Sequence, residues 1–146
     1  MTTVVVTGAN RGIGLELCRQ FARRGDKVIA TCRKDSLELR ETGAEIHEGI
    51  EVTDDASIHA LAGELQGRRI DILVNCAGIL TRESLDDLDI DRIRRQFEIN
   101  AISPLRVTAA LQGCLGRGSK VVIITSRMGS IEDNTSGGYY GYRMSK

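Results

Sequence analysis

Two side chains near the end of this 146-residue sequence stand at a spacing that suits proton transfer. Tyr142 and Lys146 are four residues apart, so a helix would place them on one face, one turn apart. A phenol normally ionises near pH ~10, and a neighbouring ammonium group favours its anionic form. The pair therefore indicates a general acid/base that could serve the interconversion of a carbonyl and an alcohol. Since Y-x-x-x-K is frequent by chance, its significance depends on the elements that position it.

A glycine-rich segment near the start of the chain could bind a diphosphate. Residues 7–14 read TGANRGIG and lie between the β-branched run 4–6 and a helical pattern of apolar residues that starts at Ile13. Glycines let the backbone approach the ligand, and the following helix directs its free N–H groups and positive dipole end at the negative charge. We therefore expect dinucleotide binding by this loop. The expected binding residues are Gly8, Asn10, Arg11, Gly12, Ile13 and Gly14.

Short apolar runs alternate with helical patterns along the chain. The predicted strands are 4–6, 28–30, the weaker segment 45–52, 70–74 and 121–124. Ser36 and either Asp54 or Asp55 are expected helix N-caps, and Pro104 is expected to open a new helical segment within the apolar pattern 93–111. Gly113, Gly116 and Gly118 form the predicted connection to the last strand. Alternating strands and helices predict an α/β fold with a doubly wound parallel sheet, a Rossmann fold, as a single domain over residues 1–146.

Composition narrows the classes of function. Lys and Arg total 20, as do Asp and Glu, so no global field attracts nucleic acid or anionic lipid. No run approaches the ~20 apolar residues of a membrane-spanning helix, and the first residues lack the pattern of a secretion signal. The four cysteines never form the close pairs that metal sites use. We therefore expect a cytoplasmic protein with no nucleic-acid partner, no membrane association and no metal.

Further motifs follow in order and carry a resemblance. Asn75-Cys76-Ala77-Gly78 follows the fourth predicted strand, Asn100 lies in the helical region, and Ser126 ends the fifth strand. Together with the T-G-x-x-x-G-I-G loop and the Tyr142/Lys146 pair, this order resembles the short-chain dehydrogenase/reductase family over essentially the whole chain. The segments 126–130 and 139–142 look like its C-factor/sniffer branch. The resemblance implies hydride transfer between a nicotinamide cofactor and a small-molecule carbonyl or alcohol, with Tyr142 as general acid/base.

The resemblance also implies roles for individual residues. Ser126 would hold the substrate oxygen, with Ser130 as an alternative because the gap from Ser126 to Tyr142 is a little longer than is usual in the family. Asn100 would position a water for Lys146 in a proton relay, or else would bend its helix by bonding to backbone. Asn75, Ala77 and Gly78 would lie at the cofactor. Cys76 replaces the second Asn of the family motif. Because this motif chiefly stabilises the sheet in the family, the replacement has little bearing on the chemistry.

The segment after the second strand bears on the choice of dinucleotide. NAD binding would call for an acid that hydrogen-bonds the ribose 2′-hydroxyl, yet residues 30–34 read ATCRK. Arg33 and Arg11 suit a 2′-phosphate, because a guanidinium donates two parallel hydrogen bonds, unless Arg33 only solvates its loop. We therefore expect NADP(H) rather than NAD(H). Glu51 and Val52 correspond to the Asp-Val pair that the family places near the adenine.

The end of the sequence bears on what the chain can do. The resembling family continues beyond its lysine, so we expect this chain to lack C-terminal strands and helices, which leaves residues 121–124 at a sheet edge. The complete protein is expected to be a homo-oligomer; a genuine truncated product is the alternative. Two other functional hypotheses remain open: a nucleotide-binding signalling or regulatory module without turnover, and a cofactor-free structural domain.

Overall fold

Five strands form one parallel sheet in the computed structural model, which describes residues 1–133 and 135–146. They are β1 (Thr3–Thr7), β2 (Lys27–Cys32), β3 (Glu45–Glu48), β4 (Ile70–Asn75) and β5 (Leu115–Ile123). Their order in the sheet is β3-β2-β1-β4-β5, and Val5 of β1 pairs with Ile29 on one side and Leu73 on the other. The predicted doubly wound parallel sheet is therefore confirmed.

In the described part of the chain, five α-helices lie between successive strands, and a sixth follows the last strand. They are α1 (Gly12–Arg23), α2 (Leu37–Arg40), α3 (Asp55–Glu64), α4 (Ile90–Phe97), α5 (Ser103–Ala110) and α6 (Tyr140–Ser145), with a π-helical segment at Glu98–Ile102 between α4 and α5. As expected, Ser36 caps α2 and Asp54 caps α3, each by accepting a backbone N–H three residues on. Pro104 lies in the first turn of α5. No helix within the described ranges has both the length and the apolar character required to cross a membrane.

The core consists of two aliphatic layers, one on each face of the sheet. Alternate residues of a strand point to opposite faces, so β1 contributes Val5 to one layer and Val4 and Val6 to the other. The first layer packs on α3 and α5, through buried side chains that include Ile58, Leu61, Val107 and Leu111. The second layer packs on α1 and α2, through buried Leu15, Cys18 and Leu39. Helices on both faces leave the carboxyl ends of the strands open.

Two predicted strand boundaries are wrong by more than two residues, the end of β3 and the start of β5, and both of these errors involve glycines. β3 ends at Glu48 rather than at residue 52, because Gly49 has φ 79 and turns the chain. β5 begins at Leu115, so Gly116 and Gly118 lie within it, and its register against β4 shifts between Ile70 and Ile72. A bulge therefore absorbs residues that the sequence had placed in a connection. β5 also ends at Ile123, one residue earlier than predicted.

An ion pair fastens β3 to the turn before β4. Arg68 donates two hydrogen bonds to the Glu45 carboxylate, at 2.6 and 2.8 Å. Hydrogen bonds from Arg68, aided by His47, lower the pKa of Glu45 from an ordinary value of 4.5 to about 2, against the opposing effect of burial. Since the folded-state pKa is depressed, the stabilisation is present above pH 4.5 and is lost as the pH falls towards 2.

Replacing Glu45 by Gln should therefore lower the free energy of unfolding near neutral pH by about 0.5–1 kcal/mol, a modest value because the pair is partly exposed. The difference between the two proteins should shrink to zero near pH 2. Urea unfolding across this pH range measures it. A difference that stays constant down to the acid end would show that the ion pair is not its source.

Candidate active site

The carboxyl ends of the strands open onto a cleft of about 910 Å³. This is the edge at which open α/β sheets bind ligands. The cleft brings together most of the residues singled out from the sequence, namely Gly8, Asn10, Arg11, Gly12, Ile13, Gly14, Arg33, Glu51, Val52, Ala77, Gly78, Tyr142 and Lys146. The glycine-rich segment 7–14, called the phosphate loop for its expected ligand, and the Tyr142/Lys146 pair are far apart in sequence. Both therefore line one cavity.

The glycines of the phosphate loop permit close backbone packing. A methyl group added at Gly8, which has φ 65, would lie 2.7 Å from the Cα atom of Ala77. One added at Gly14 would lie 2.4 Å from the carbonyl oxygen of Gly8. Any side chain at either position would push the loop away from the end of β4 or from α1. The glycine spacing thus sets how deeply the start of α1 reaches into the cleft.

The start of α1, unlike those of α2, α3 and α4, has no side-chain cap. Asp54 and Asp89 cap α3 and α4 by accepting backbone N–H groups, whereas the N-cap of α1, Arg11, makes no such bond and its first turn has no acid. The N–H groups of a first helical turn lack partners within the helix. Gly12 and Ile13, in the first turn of α1, line the cleft. Their backbone N–H groups fit an anionic group such as a diphosphate.

Thr7, the first residue of the glycine-rich segment 7–14, joins β1 to the segment after β4. Its hydroxyl oxygen accepts hydrogen bonds from the backbone N–H groups of Cys76 and Ala77, at 3.0 and 3.1 Å. The side chain is 2% exposed. The sequence feature that could have indicated this contact is a hydroxyl-bearing residue directly before Gly8. This contact fixes the two halves of the sheet edge relative to each other.

Arg33 and Glu51 face each other at the other end of the cleft. The Arg33 Nη1 atom lies 3.8 Å from Glu51 Oε2. Glu51 Oε1 in turn accepts hydrogen bonds from the backbone N–H and the hydroxyl of Thr53, at 3.3 and 3.1 Å. The carboxylate is therefore anchored, while the Arg33 side chain is 60% exposed. The guanidinium can leave this weak contact for a stronger anion.

Tyr142 and Lys146 lie together on α6 and its C-terminal end. The Lys146 Nζ atom is 5.8 Å from the centre of the Tyr142 ring and donates a hydrogen bond to the carbonyl oxygen of Ile124, at 2.9 Å. Burial lowers the pKa of the Lys146 ammonium, and the nearby Cys76 thiol opposes this shift. The β5 end thus holds the amine beside the phenol, as an acid/base pair requires.

Asn100 lies behind this pair, in the π-helical segment, and is 5% exposed. Its Oδ1 atom accepts from the N–H of Ile79, at 2.9 Å, and its Nδ2 atom donates to the carbonyl of Ile79 and the hydroxyl of Ser145, at 2.8 and 2.9 Å. The side chain therefore bonds to the backbone of Ile79, outside its own helical segment, and to Ser145. A methyl group added at Gly78 would touch both Asn100 Oδ1 and Lys146 Nζ, at 3.2 and 3.4 Å. The proposed relay remains a prediction.

Three other predicted site residues do not reach the cleft. The Ser126 hydroxyl accepts from the N–H of Met128, at 3.1 Å, and caps the 3₁₀ turn Arg127–Gly129. The Ser130 hydroxyl accepts from the N–H of Asp133, at 3.1 Å. Asn75, within β4, is 3% exposed and donates to the Thr108 hydroxyl on α5, at 3.3 Å. Each side chain contacts a nearby polar group, and the expected roles of these residues at the substrate or cofactor remain predictions.

The cleft also contains residues that sequence reasoning missed. They come from strand ends and from a helix remote in sequence, and they are Thr31, Cys32, Lys34, Ile50, Cys76, Ile79, Leu80, Thr81, Arg95, Ile99, Ile124 and Thr125. Burial raises the pKa of the Cys32 thiol to about 11, helped by the charges of Asp35 and Glu48, and burial also raises the pKa of Cys76. Both shifts favour the protonated thiol, which is a weaker nucleophile than the thiolate.

Comparison with known proteins gives a consistent result. The family model "short chain dehydrogenase" matches residues 2–146. The chain is 45% identical, over 148 aligned residues, to 1-hydroxy-2-glutathionyl-2-methyl-3-butene dehydrogenase of Rhodococcus sp. (strain AD45), covering 100% of this chain and 66% of that protein. It is 48% identical over 80 residues to C-signal of Myxococcus xanthus, covering 53% of this chain and 48% of the relative. The chain thus spans less than two thirds of these curated relatives.

A solved structure matches the fold over the same range. The NADPH-bound carbonyl reductase from chicken fatty liver superposes with a TM-score of 0.86 at 29% identity. The match covers 100% of this chain and 69% of the reductase. The overall fold is therefore shared with a protein whose solved structure contains NADPH.

The Thr7 contact can be tested by removing only its hydroxyl. Thr7→Val keeps the shape but leaves two buried N–H groups without an acceptor, and should lower the free energy of unfolding by about 2–4 kcal/mol. Thr7→Ser keeps the oxygen and loses one methyl group, at a cost of about 1 kcal/mol. Denaturant unfolding of both variants measures the difference. Equal losses in the two variants would mean that the methyl group, not the hydroxyl, matters.

Proposed function

This chain belongs to the short chain dehydrogenase family of oxidoreductases, and we propose that it acts as an NADP(H)-dependent enzyme that moves a hydride between the nicotinamide and a carbonyl or alcohol substrate. The observation that supports this most strongly is that the glycine loop and the Tyr142/Lys146 pair line one cleft. A cofactor that spans the cleft would connect the two.

The chain's own groups suit the parts of the dinucleotide. The uncapped N–H groups at the start of α1 would hold the diphosphate. Arg33 would hold the 2′-phosphate of NADP(H), because a guanidinium can donate two hydrogen bonds to it. Glu51 and Val52 would lie beside the adenine. The chicken carbonyl reductase, which matches this fold, binds NADPH, and this supports the choice.

Proton transfer would be the task of α6. When bound, the nicotinamide supplies or accepts the hydride. Tyr142 gives its phenolic proton to the carbonyl oxygen during reduction, and takes it back from the alcohol during oxidation. Lys146, held at the Ile124 carbonyl, stabilises the phenolate by its positive charge. Asn100 would support the lysine, and Ser126 would hold the substrate oxygen once its hydroxyl leaves the Met128 N–H.

A second candidate function is a regulatory or signalling module that binds the nucleotide without turnover. The observation in its favour is the similarity to C-signal over 80 residues. Both candidates need an intact phosphate loop, so cofactor binding does not separate them. They differ at the phenol of Tyr142, which only an enzyme requires.

Replacing Tyr142 by Phe should lower the rate of NADPH oxidation with 9,10-phenanthrenequinone, a carbonyl probe, by about 10³-fold, since the proton donor is lost. NADPH affinity should stay within about twofold, because the phosphate loop is untouched. Tyr140→Phe, on the same helix, is the matched control and should keep the rate. A Tyr142→Phe protein with full turnover would eliminate this residue as the acid. A native protein that binds NADPH but never turns over would favour the regulatory module.

Cofactor preference should depend on the Arg33–Glu51 pair. Arg33→Ala should weaken NADPH binding by about 10- to 100-fold, the value of a hydrogen-bonded charge, and leave NADH binding nearly unchanged. Glu51→Gln should strengthen NADPH binding, because it removes the carboxylate that competes for Arg33. Fluorescence titration of each variant with NADPH and NADH measures both effects. A parallel loss for the two cofactors in Arg33→Ala would refute a 2′-phosphate contact.

A further inference from the structure

A buried carboxylate lies beside the start of α6, outside the groups assigned above. Glu83 is 3% exposed. Its Oε1 atom accepts a hydrogen bond from the Thr81 hydroxyl, and its Oε2 atom accepts from the amide Nε2 of Gln96, at 3.2 Å. Within residues 1–133 and 135–146, no basic group forms an ion pair with this carboxylate. The hydrogen-bond donors to the Glu83 carboxylate are thus neutral, and the Arg92 guanidinium attracts it only from beyond ion-pair distance.

Such an arrangement costs stability. Moving a carboxylate out of water without a cation partner is unfavourable, and hydrogen bonds from a hydroxyl and an amide compensate for only part of the loss. Gln96 is 0% exposed, and its Oε1 atom accepts from the N–H of Thr81, at 3.1 Å. Glu83, Gln96 and Thr81 therefore form a closed polar network that joins α4 to the segment after β4.

The same network reaches the backbone where α6 begins. The carbonyl oxygen of Glu83 accepts from the N–H of Tyr139, at 3.2 Å. Tyr139 precedes α6 and has φ 55, a left-handed conformation that is strained for a tyrosine. Strained residues persist where their surroundings hold them firmly. The Arg82 guanidinium, 5.8 Å from the centre of the Tyr139 ring, adds a second contact.

Gly141, on the first turn of α6, packs directly on this network. A methyl group added at Gly141 would lie 2.3 Å from Gln96 Nε2 and 3.2 Å from Glu83 Oε2. Only a glycine lets α6 approach the Glu83–Gln96 hydrogen bond so closely. The next residue along the helix is Tyr142, which lines the cleft.

We propose that Glu83 is a positioning residue: through Gln96 and Gly141 it seats α6 on α4 so that the Tyr142 phenol faces the cleft. The inference rests on the proposed function, because it assigns Glu83 a purpose in holding the acid/base. Glu83 itself does not touch the cleft, whereas Thr81 and Tyr142 do.

The kinetic test compares three substitutions. Glu83→Ala should lower kcat with 9,10-phenanthrenequinone and NADPH by about 100-fold, the cost of a displacement of about 1 Å in a reacting group. KM and the NADPH dissociation constant should change by less than about threefold, because the phosphate loop is intact. Glu83→Gln should restore kcat to within about fivefold, since its amide oxygen still accepts from Gln96.

Gly141→Ala should reproduce the loss of kcat. Glu38→Ala, at an exposed position of α2, is the control and should leave kcat unchanged.

Hydrogen exchange provides a measurement that does not need turnover. Glu83→Ala or Gly141→Ala should speed amide exchange over residues 140–145 by about tenfold or more and leave α1 unchanged.

Faster exchange in α6 without any turnover by the native protein would uphold the positioning role and refute the proposed function. Unchanged exchange and kcat in Gly141→Ala and Glu83→Ala would overturn the inference. If Glu83→Ala does not fold, Glu83→Gln and Gly141→Ala decide in its place. An equal loss of kcat and NADPH affinity would also overturn it, since that marks a general loss of structure.

Discussion

The hydroxyl of Thr7 is the contact on which the geometry of the cleft depends. By accepting the N–H groups of Cys76 and Ala77, it joins the end of β1 to the segment after β4. Gly8 then packs against Ala77 at a distance that admits no side chain, and Gly14 packs α1 against Gly8. The packing of Gly14 on Gly8 depends on where Gly8 packs against Ala77, and that in turn depends on the hydrogen bonds of Thr7. The start of α1 therefore lies where the sheet edge places it, and the cleft needs no movement of the backbone to form.

The positive groups that line the cleft are only partly compensated by negative or hydrogen-bonding partners. In α2, α3 and α4 a Ser or Asp side chain accepts one N–H group of the first turn, whereas α1, whose first turn lines the cleft, has no side-chain cap. Among the described residues, the one carboxylate that pairs with Arg33 is Glu51, at 3.8 Å, and the Lys146 ammonium donates to a neutral carbonyl. Positive groups thus line the cavity from end to end with incomplete compensation. Such a surface suits an elongated ligand with several negative charges.

Local patterns were sufficient to predict much of this architecture. The strands follow from β-branched runs, and Ser36 and Asp54 cap helices because capping depends on residues three positions apart. Contacts between distant segments could not be read in this way. Nothing in the sequence indicates that Ser126 caps a turn, that Asn75 faces Thr108, or that Glu83 meets Gln96 across thirteen residues. A hydroxyl or amide bonds whichever partner the fold brings near, and motif spacing does not determine that partner.

A crystal structure of the protein with NADPH tests the central claim most directly. The account predicts the diphosphate on the backbone N–H groups of Gly12 and Ile13, the 2′-phosphate at Arg33 in place of Glu51, and the nicotinamide beside the Tyr142 hydroxyl. Density for the diphosphate elsewhere, or a Tyr142 hydroxyl directed away from the nicotinamide in every copy, would contradict it.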